Sequence, residues 1–157
     1  MSSSDCLFCQ IAHGVIPCHE VWSSDTHLAF LSIFPNTKGV TVVIPRDHHS
    51  SYIFEQSDSV IAELMSASKN VAKRLDSFFA DVGRSGVVFE GFGINHLHAK
   101  LYPLHGTGKA TDWQPMESGH ITTYFEQYPG FISSNDSDRA DDSALAELAS
   151  QIRNSAE

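Results

Sequence analysis

The sequence predicts an α+β domain, a meandering sheet with one long helix laid on it. Three observations carry that prediction. Residues 20–44 hold three short runs of apolar and β-branched residues separated by turn residues, the pattern of a β-meander. Residues 59–80 place apolar side chains at i, i+3, i+4 and i+7, as an amphipathic helix does. Residues 96–102 alternate, with Leu97, Ala99 and Leu101 on one side and His96, His98, Lys100 and Tyr102 on the other, as a strand with one core face does.

Each element follows from its residues. Residues 5–13 predict a short helix with Asp5 as its N-cap and Leu7, Phe8 and Ile11 as its apolar positions; Gly14 ends it and Pro17 follows. Residues 20–23 are extended up to a turn at Ser24-Asp25. Residues 28–33 form the next strand, closed by Pro35-Asn36, and residues 39–44 the third, closed by Pro45. In the long helix Ile61, Leu64, Met65, Ser68, Val71, Ala72, Leu75 and Phe79 make the buried stripe, and Ser57 or Ser59 caps its start. Residues 87–89 are a strand candidate, followed by a loop over 90–95. Pro103 ends the strand over 96–102. Residues 121–125 predict a further strand and residues 143–152 a terminal helix.

Composition narrows the function classes. A chain of 157 residues suits one domain with a real core. No stretch approaches the ~20 apolar residues a membrane span requires, so no membrane partner is expected. Residues 1–5 lack a basic region followed by an apolar run, which favours a cytoplasmic protein. Three cysteines argue against a disulfide framework. The net charge is −9, with acidic residues gathered at Asp136, Asp138, Asp141 and Asp142. That balance disfavours nucleic acid, whose phosphates need clustered Lys and Arg, but leaves room for a small anion met by a few convergent donors.

The chemistry-bearing residues are cysteines and histidines. Cys6-x-x-Cys9 has metal-ligand spacing, with a buried cysteine pair or a thioredoxin-type redox motif as alternatives; no βαβ context supports the redox reading. A tetrahedral site needs two more ligands, and His48, His49 and His96 are best placed by context. There is no second CxxC, and Cys18 reads as an unpaired small residue. Residues i and i+2 of a strand lie about 6.6 Å apart, which argues against His96 and His98 sharing one ion with its ~2 Å bonds. They therefore take neighbouring but different roles, in a polar, cationic row that continues to Lys100.

These residues form a recognisable whole. Cys6-Leu7-Phe8-Cys9-Gln10-Ile11, Gly14-Val15-Ile16-Pro17, His27-Leu28-Ala29-Phe30-Leu31, Thr37-Lys38-Gly39, Val43-Ile44-Pro45-Arg46-Asp47-His48 and finally His96-x-His98 strongly resemble the histidine triad (HIT) superfamily. The resemblance implies a HIT-like α+β fold: an antiparallel sheet of about five strands with one long and one short helix. It assigns residues 1–110 to that domain and 111–157 to a C-terminal extension packed on or beside it. It implies a nucleotide hydrolase or nucleotidyltransferase acting at an α-phosphate, of the nucleotide phosphoramidase or dinucleoside polyphosphate hydrolase type, in a homodimer. The small-molecule partner is then a nucleotide or nucleotide conjugate. It places structural Zn2+ on Cys6, Cys9, His48 and His96, and makes His98 the nucleophile that forms a nucleotidyl-histidine intermediate. By position the nucleotide pocket would draw on Leu7, Phe8, Ile11, Phe30, Ser32 and Ile33, residues equally well explained as core.

The sequence also departs from the family pattern. The third triad position is Lys100, a cation that can neutralise a phosphate oxygen but is a poor proton shuttle. Val40 stands where a fourth histidine usually precedes the Val-Ile-Pro strand, Ser32 where a ribose-binding carboxylate often falls, and Phe92 where a glutamine is usual. His105 is either the missing imidazole of the catalytic set or an ordinary loop histidine. Two other readings stand beside the enzyme: a catalytically weak nucleotide-binding or regulatory protein with structural zinc, and a zinc-stabilised interaction module.

Overall fold

The structure, a computed structural model, describes residues 6–108 together with Glu126 and Ser143. Contacts divide the chain between Asp112 and Trp113, and every helix and strand named below belongs to the first unit. The strand expected over 121–125, the extension over 111–157 and, beyond Ser143, the terminal helix lie outside the described residues. In chain order the elements are α1 (Leu7–Ala12), β1 (Glu20–Ser23), β2 (His27–Leu31), β3 (Thr41–Pro45), α2 (Asp58–Phe78), β4 (Ser85–Val88) and β5 (Ala99–Pro103), with a 3-10 turn at Ile53–Glu55 before α2. The five strands form one antiparallel sheet in the order β1-β2-β3-β5-β4. The α+β expectation therefore holds, and β5 is the strand inserted between the meander and β4.

Register decides what each face carries. Partners across an antiparallel ladder share a face. Ala29, Val43 and Ala99 are in register across β2, β3 and β5. With Leu97 and Leu101 they form one core cluster together with Leu64, Ala67, Val71 and Leu75 of α2. The two alanines leave room for the helix to approach the sheet. On the other face Leu28 pairs with Ile44, and Phe30 with Val42. This set packs with Phe8, Cys9 and Ala12 of α1 in a second cluster. Because both faces of β3 are covered, all five of its residues are buried, and it reads as a continuous apolar run rather than an alternating one.

The ends of the helices show where local signals hold and where they yield. Ser57 caps α2 as expected, its hydroxyl accepting the Val60 N–H at 3.4 Å. The N-cap of α1 is Cys6, which makes no side-chain capping bond, and its sulfur instead faces His96. At the other end Arg46 donates to the Ala12 carbonyl at 2.7 Å and to the Ser24 carbonyl at 2.9 Å, tying the last turn of α1 to the β1–β2 turn.

Gly39, in the β2–β3 connection, has φ +87, and a Cβ there would lie 2.6 Å from the Phe79 ring and 3.2 Å from Pro103. Only glycine combines that backbone with that closeness. Gly39→Ala is expected to destabilise the domain by about 1–3 kcal/mol through strain and overpacking. A urea midpoint unchanged from wild type would refute this packing.

Candidate metal centre and active site

His96, Leu97 and His98 lead into β5 rather than belonging to it, since β5 begins at Ala99. The Leu97 N–H is taken by the His49 carbonyl at 2.9 Å, outside the β3–β5 ladder. The alternation nonetheless persists through the lead-in. Leu97 enters the α2 cluster, while His96 and His98 are buried at 0% and 3% exposure. The expectation of a cationic row is corrected at these two positions. Burial disfavours the charged imidazole, holding His96 down to about 4 and His98 below the ordinary histidine value.

α1, the segment after β3 and the lead-in to β5 bring four ligand-type atoms together. Cys6, Cys9, His48 and His96 place one such atom each, all within 4.8 Å of one another. His96 Nδ1 lies 3.5 Å from Cys6 Sγ and 3.4 Å from Cys9 Sγ, and His48 Nδ1 lies 3.3 Å from Cys9 Sγ. Tetrahedral zinc with ordinary Zn–S and Zn–N bonds has S···N edges of about 3.6 Å, so the donor set matches a metal of this kind in type, number and spacing. The tautomer fits as well. His96 Nε2–H donates to the Pro45 carbonyl at 2.9 Å, which leaves the Nδ1 lone pair toward the sulfurs. Burial and the neighbouring Cys6 push the Cys9 thiol up to about 11. A bound cation would reverse that cost by stabilising the thiolate. The group can therefore hold a metal ion. His49, the other neighbour, contributes its backbone rather than a ligand atom to this region.

His98 sits beside this cluster with a different polarity. Its Nδ1–H donates to the His96 carbonyl at 2.7 Å, so in the neutral ring the lone pair is on Nε2. Phe8 packs edge-on against both histidines, with ring centroids 5.9 Å from His96 and 5.5 Å from His98, and against Phe30 at 5.5 Å. Burial is the main cause of the lowered His98 value, and the Lys100 charge adds to it; the His96 carbonyl and Glu90 oppose it. The ring is thus held in one orientation, and its burial disfavours the charged form.

Lys100 pairs with Val42 and Val88 across the sheet, and its ammonium forms an ion pair with Glu90. The structure does not bring His105 to this place. His98 lies at the Pro45 end of β3, whereas His105 Nε2–H donates to the Lys38 carbonyl at 2.9 Å, ahead of that strand. Its Nδ1 lies 3.0 Å from an Asp81 carboxylate oxygen, and its ring packs on Phe79. Of its two sequence readings, the structure favours a loop residue that fastens the segment after β5. The Lys38 carbonyl and then Asp81 raise the His105 value. Protonated His105 therefore favours the folded state below the ordinary value near 6.5, and that contribution is lost as pH rises through the raised folded value. An NMR titration is expected to place the His105 midpoint above about 6.5, and Asp81→Asn to lower it. A midpoint at or below the ordinary value would contradict the contact.

Of the residues expected to bind nucleotide, Phe8 is buried against His98 and Phe30 is buried against Phe8, Ile11 and Ser32 are half-buried, and Leu7 and Ile33 are exposed. Ser32 Oγ accepts the Phe34 N–H at 3.2 Å, a local turn contact. A cavity of about 610 Å³ lies elsewhere, around Lys38, Gly39, Leu75 and Phe79, and no residue of the expected site lines it. No helix among the described residues is long and apolar enough to cross a membrane.

Comparison with known proteins places this geometry in a family. Residues 13–106 match the HIT domain model. The adenosine 5'-monophosphoramidase hnt1 of Schizosaccharomyces pombe is 33% identical over 127 residues, covering 78% of this chain and 94% of its own. The adenylylsulfatase HINT3 of Arabidopsis thaliana is 28% identical over 106 residues, covering 64% of this chain and 52% of its own. The crystal structure of SMU.412c from Streptococcus mutans superposes with a TM-score of 0.68 at 27% identity, covering 99% of this chain and 88% of that one. The chain belongs to the HIT domain family, some of whose members are nucleotide hydrolases.

Proposed function

We propose that this protein is a nucleotide hydrolase or nucleotidyltransferase that acts at an α-phosphate through a nucleotidyl adduct on His98. The observation that carries the reading is the hydrogen bond from His98 Nδ1–H to the His96 carbonyl, which leaves Nε2 as the free nucleophile. In the first step the Nε2 lone pair forms a bond to the α-phosphorus. The bond from phosphorus to the leaving group breaks, and the leaving group departs with the electron pair and takes a proton from solvent. The carbonyl of His96 continues to accept from Nδ1–H and steadies the charge that develops on the ring. Water or another acceptor then attacks phosphorus and gives up its proton to solvent, the P–N bond breaks, and its electron pair returns to Nε2. Lys100 supplies positive charge to a non-bridging oxygen during both displacements.

Zn2+ on Cys6, Cys9, His48 and His96 belongs to the same reading. With four protein ligands such an ion would have no open position, and it would supply fold stability rather than a reactive water. The partner is a small nucleotide or nucleotide conjugate, and the assembly a homodimer. The test is to mix the enzyme with an adenosine phosphoramidate, quench within one turnover, and weigh the peptide that contains His98. A gain equal to one adenylyl group is expected. Turnover with no adduct at any time point would defeat the covalent route.

One observation favours a second reading, a nucleotide-binding or regulatory protein with weak turnover. Lys100 holds the third triad position and is paired with Glu90, and His105 is at the wrong end of the sheet to assist. That reading predicts nucleotide binding with no adduct on His98.

A further inference from the structure

A lysine beside a nucleophile brings a difficulty. Its charge sits on a flexible four-carbon stem, and a cation that wanders stabilises a transition state poorly. Lys100 stands two residues after His98 on the same face of the sheet, at a Cα spacing of about 6.6 Å. Its stem can carry the ammonium either toward a phosphate on His98 or out to water. Something must choose between these.

Glu90 is the group placed to do so. It follows β4 by two residues, and Val88 of β4 is in register with Lys100. The ion pair is only partly open to water, with Lys100 30% and Glu90 14% exposed at the side chain. The backbone next to Glu90 lies close to a neighbouring segment. Gly91 has φ +70, and a Cβ there would lie 3.1 Å from the Ser51 carbonyl oxygen, so the loop passes beside Ser51 and Tyr52. Asn95 Oδ1 accepts the Ser51 N–H at 3.0 Å, and the Leu97 N–H reaches the His49 carbonyl. The loop that follows Glu90 thus lies against the segment that also carries His48, while the lysine that Glu90 pairs with belongs to the strand that follows His98.

We infer that Glu90 is a positioning residue, which holds the Lys100 ammonium beside the phosphate that His98 attacks. An ammonium has three donors, so the bond to Glu90 leaves two for non-bridging oxygens. The carboxylate also opposes the approach of an anion. It therefore weakens ground-state binding while it raises the rate of the chemical step. That opposition separates a positioning role from a merely structural one. The inference rests on the function proposed above.

The test is a double-mutant cycle of Glu90→Gln and Lys100→Met with a nucleoside phosphoramidate as substrate. Glutamine keeps the shape of the side chain and removes its charge. In the wild-type background Glu90→Gln is expected to lower kcat about tenfold without raising KM, and the Kd for a nucleoside monophosphate stays equal or falls. In the Lys100→Met background Glu90→Gln is expected to leave kcat within about twofold. Glu90→Asp should recover part of the kcat lost in Glu90→Gln. A tenfold loss from Glu90→Gln that persists in the Lys100→Met background would overturn the inference, and so would no loss in the wild-type background. Circular dichroism and the melting temperature identify any variant that fails to fold, and for such a variant the Kd of the wild type and Glu90→Asp carries the comparison: weaker monophosphate binding by Glu90→Asp overturns the inference, equal or tighter binding upholds it. Failure of the parent reading shows separately, as turnover by His98→Ala equal to that of wild type.

Discussion

His98→Ala is expected to lower kcat/KM for a nucleoside phosphoramidate by at least about 10³-fold, about 4 kcal/mol of transition-state stabilisation. The residue supplies the bond-forming lone pair, so its removal deletes a step rather than weakening a contact. The fold should tolerate the change. His98 donates its hydrogen bond to a backbone carbonyl two residues away, and its ring packs on Phe8. Truncation leaves a cavity beside α1 and an unpaired carbonyl, at a cost of about 1–3 kcal/mol. Nucleotide affinity is expected to change far less than kcat. Steady-state kinetics beside a binding isotherm and a thermal melt would separate these effects. A His98→Ala protein that melts like the wild type and turns over at the wild-type rate would end the nucleophile assignment.

Cys9→Ser is expected to abolish metal binding and lower the melting temperature by roughly 10–20 °C, about 2–4 kcal/mol for a domain of this size. Cys9 is the centre of the cluster, since its sulfur faces both His48 and His96. Losing it breaks the link between α1, the segment after β3 and the lead-in to β5. The apolar cluster of Phe8, Ala12, Leu28 and Ile44 remains and should keep part of α1 in place. A strong chelator should reproduce the loss in the wild type and have no effect on Cys9→Ser. Elemental analysis of the purified protein reads the metal directly, with zinc expected near one equivalent per chain. Metal-free wild-type protein with an unaltered melt would remove the metal assignment and leave the His98 prediction standing.

Much of the fold is legible in the sequence because its signals are local. The period of residues 59–80 marks α2 and most of its buried stripe, though Met65 is exposed and Ala67 buried instead, and Ser57 closes its start. The runs over 20–44 mark the meander. The alternation over 96–102 assigns Leu97, Ala99 and Leu101 to the α2 face, where they lie. The start of β5 differs from the expected position by three residues because a hydrogen bond decides it. The His49 carbonyl claims the Leu97 N–H, and no pattern within residues 96–102 encodes that partner.

The site divides in the same way. Residue chemistry is written in the chain itself: a CxxC on a short helix, a pair of histidines two apart, and a lysine in place of a third. Spacing alone suggests neighbouring but different roles for His96 and His98, and the two rings bond through different nitrogens, His96 Nε2 to the Pro45 carbonyl and His98 Nδ1 to the His96 carbonyl. It took folding to bring Cys6 within reach of His96, 90 positions away in the chain. Folding also buried both histidines, which disfavours the charged imidazoles that a cationic row would carry. It carried His105 to the Lys38 end of the sheet, because β5 runs antiparallel to β3 and away from Pro45. Glu90, in the sequence only one residue of a turn, became a partner of Lys100 through the β4–β5 register. Side-chain periodicity states which face a residue takes. Which end of the sheet it reaches, and what it meets there, depends on strand order and register, and these are set by packing between segments far apart in the chain.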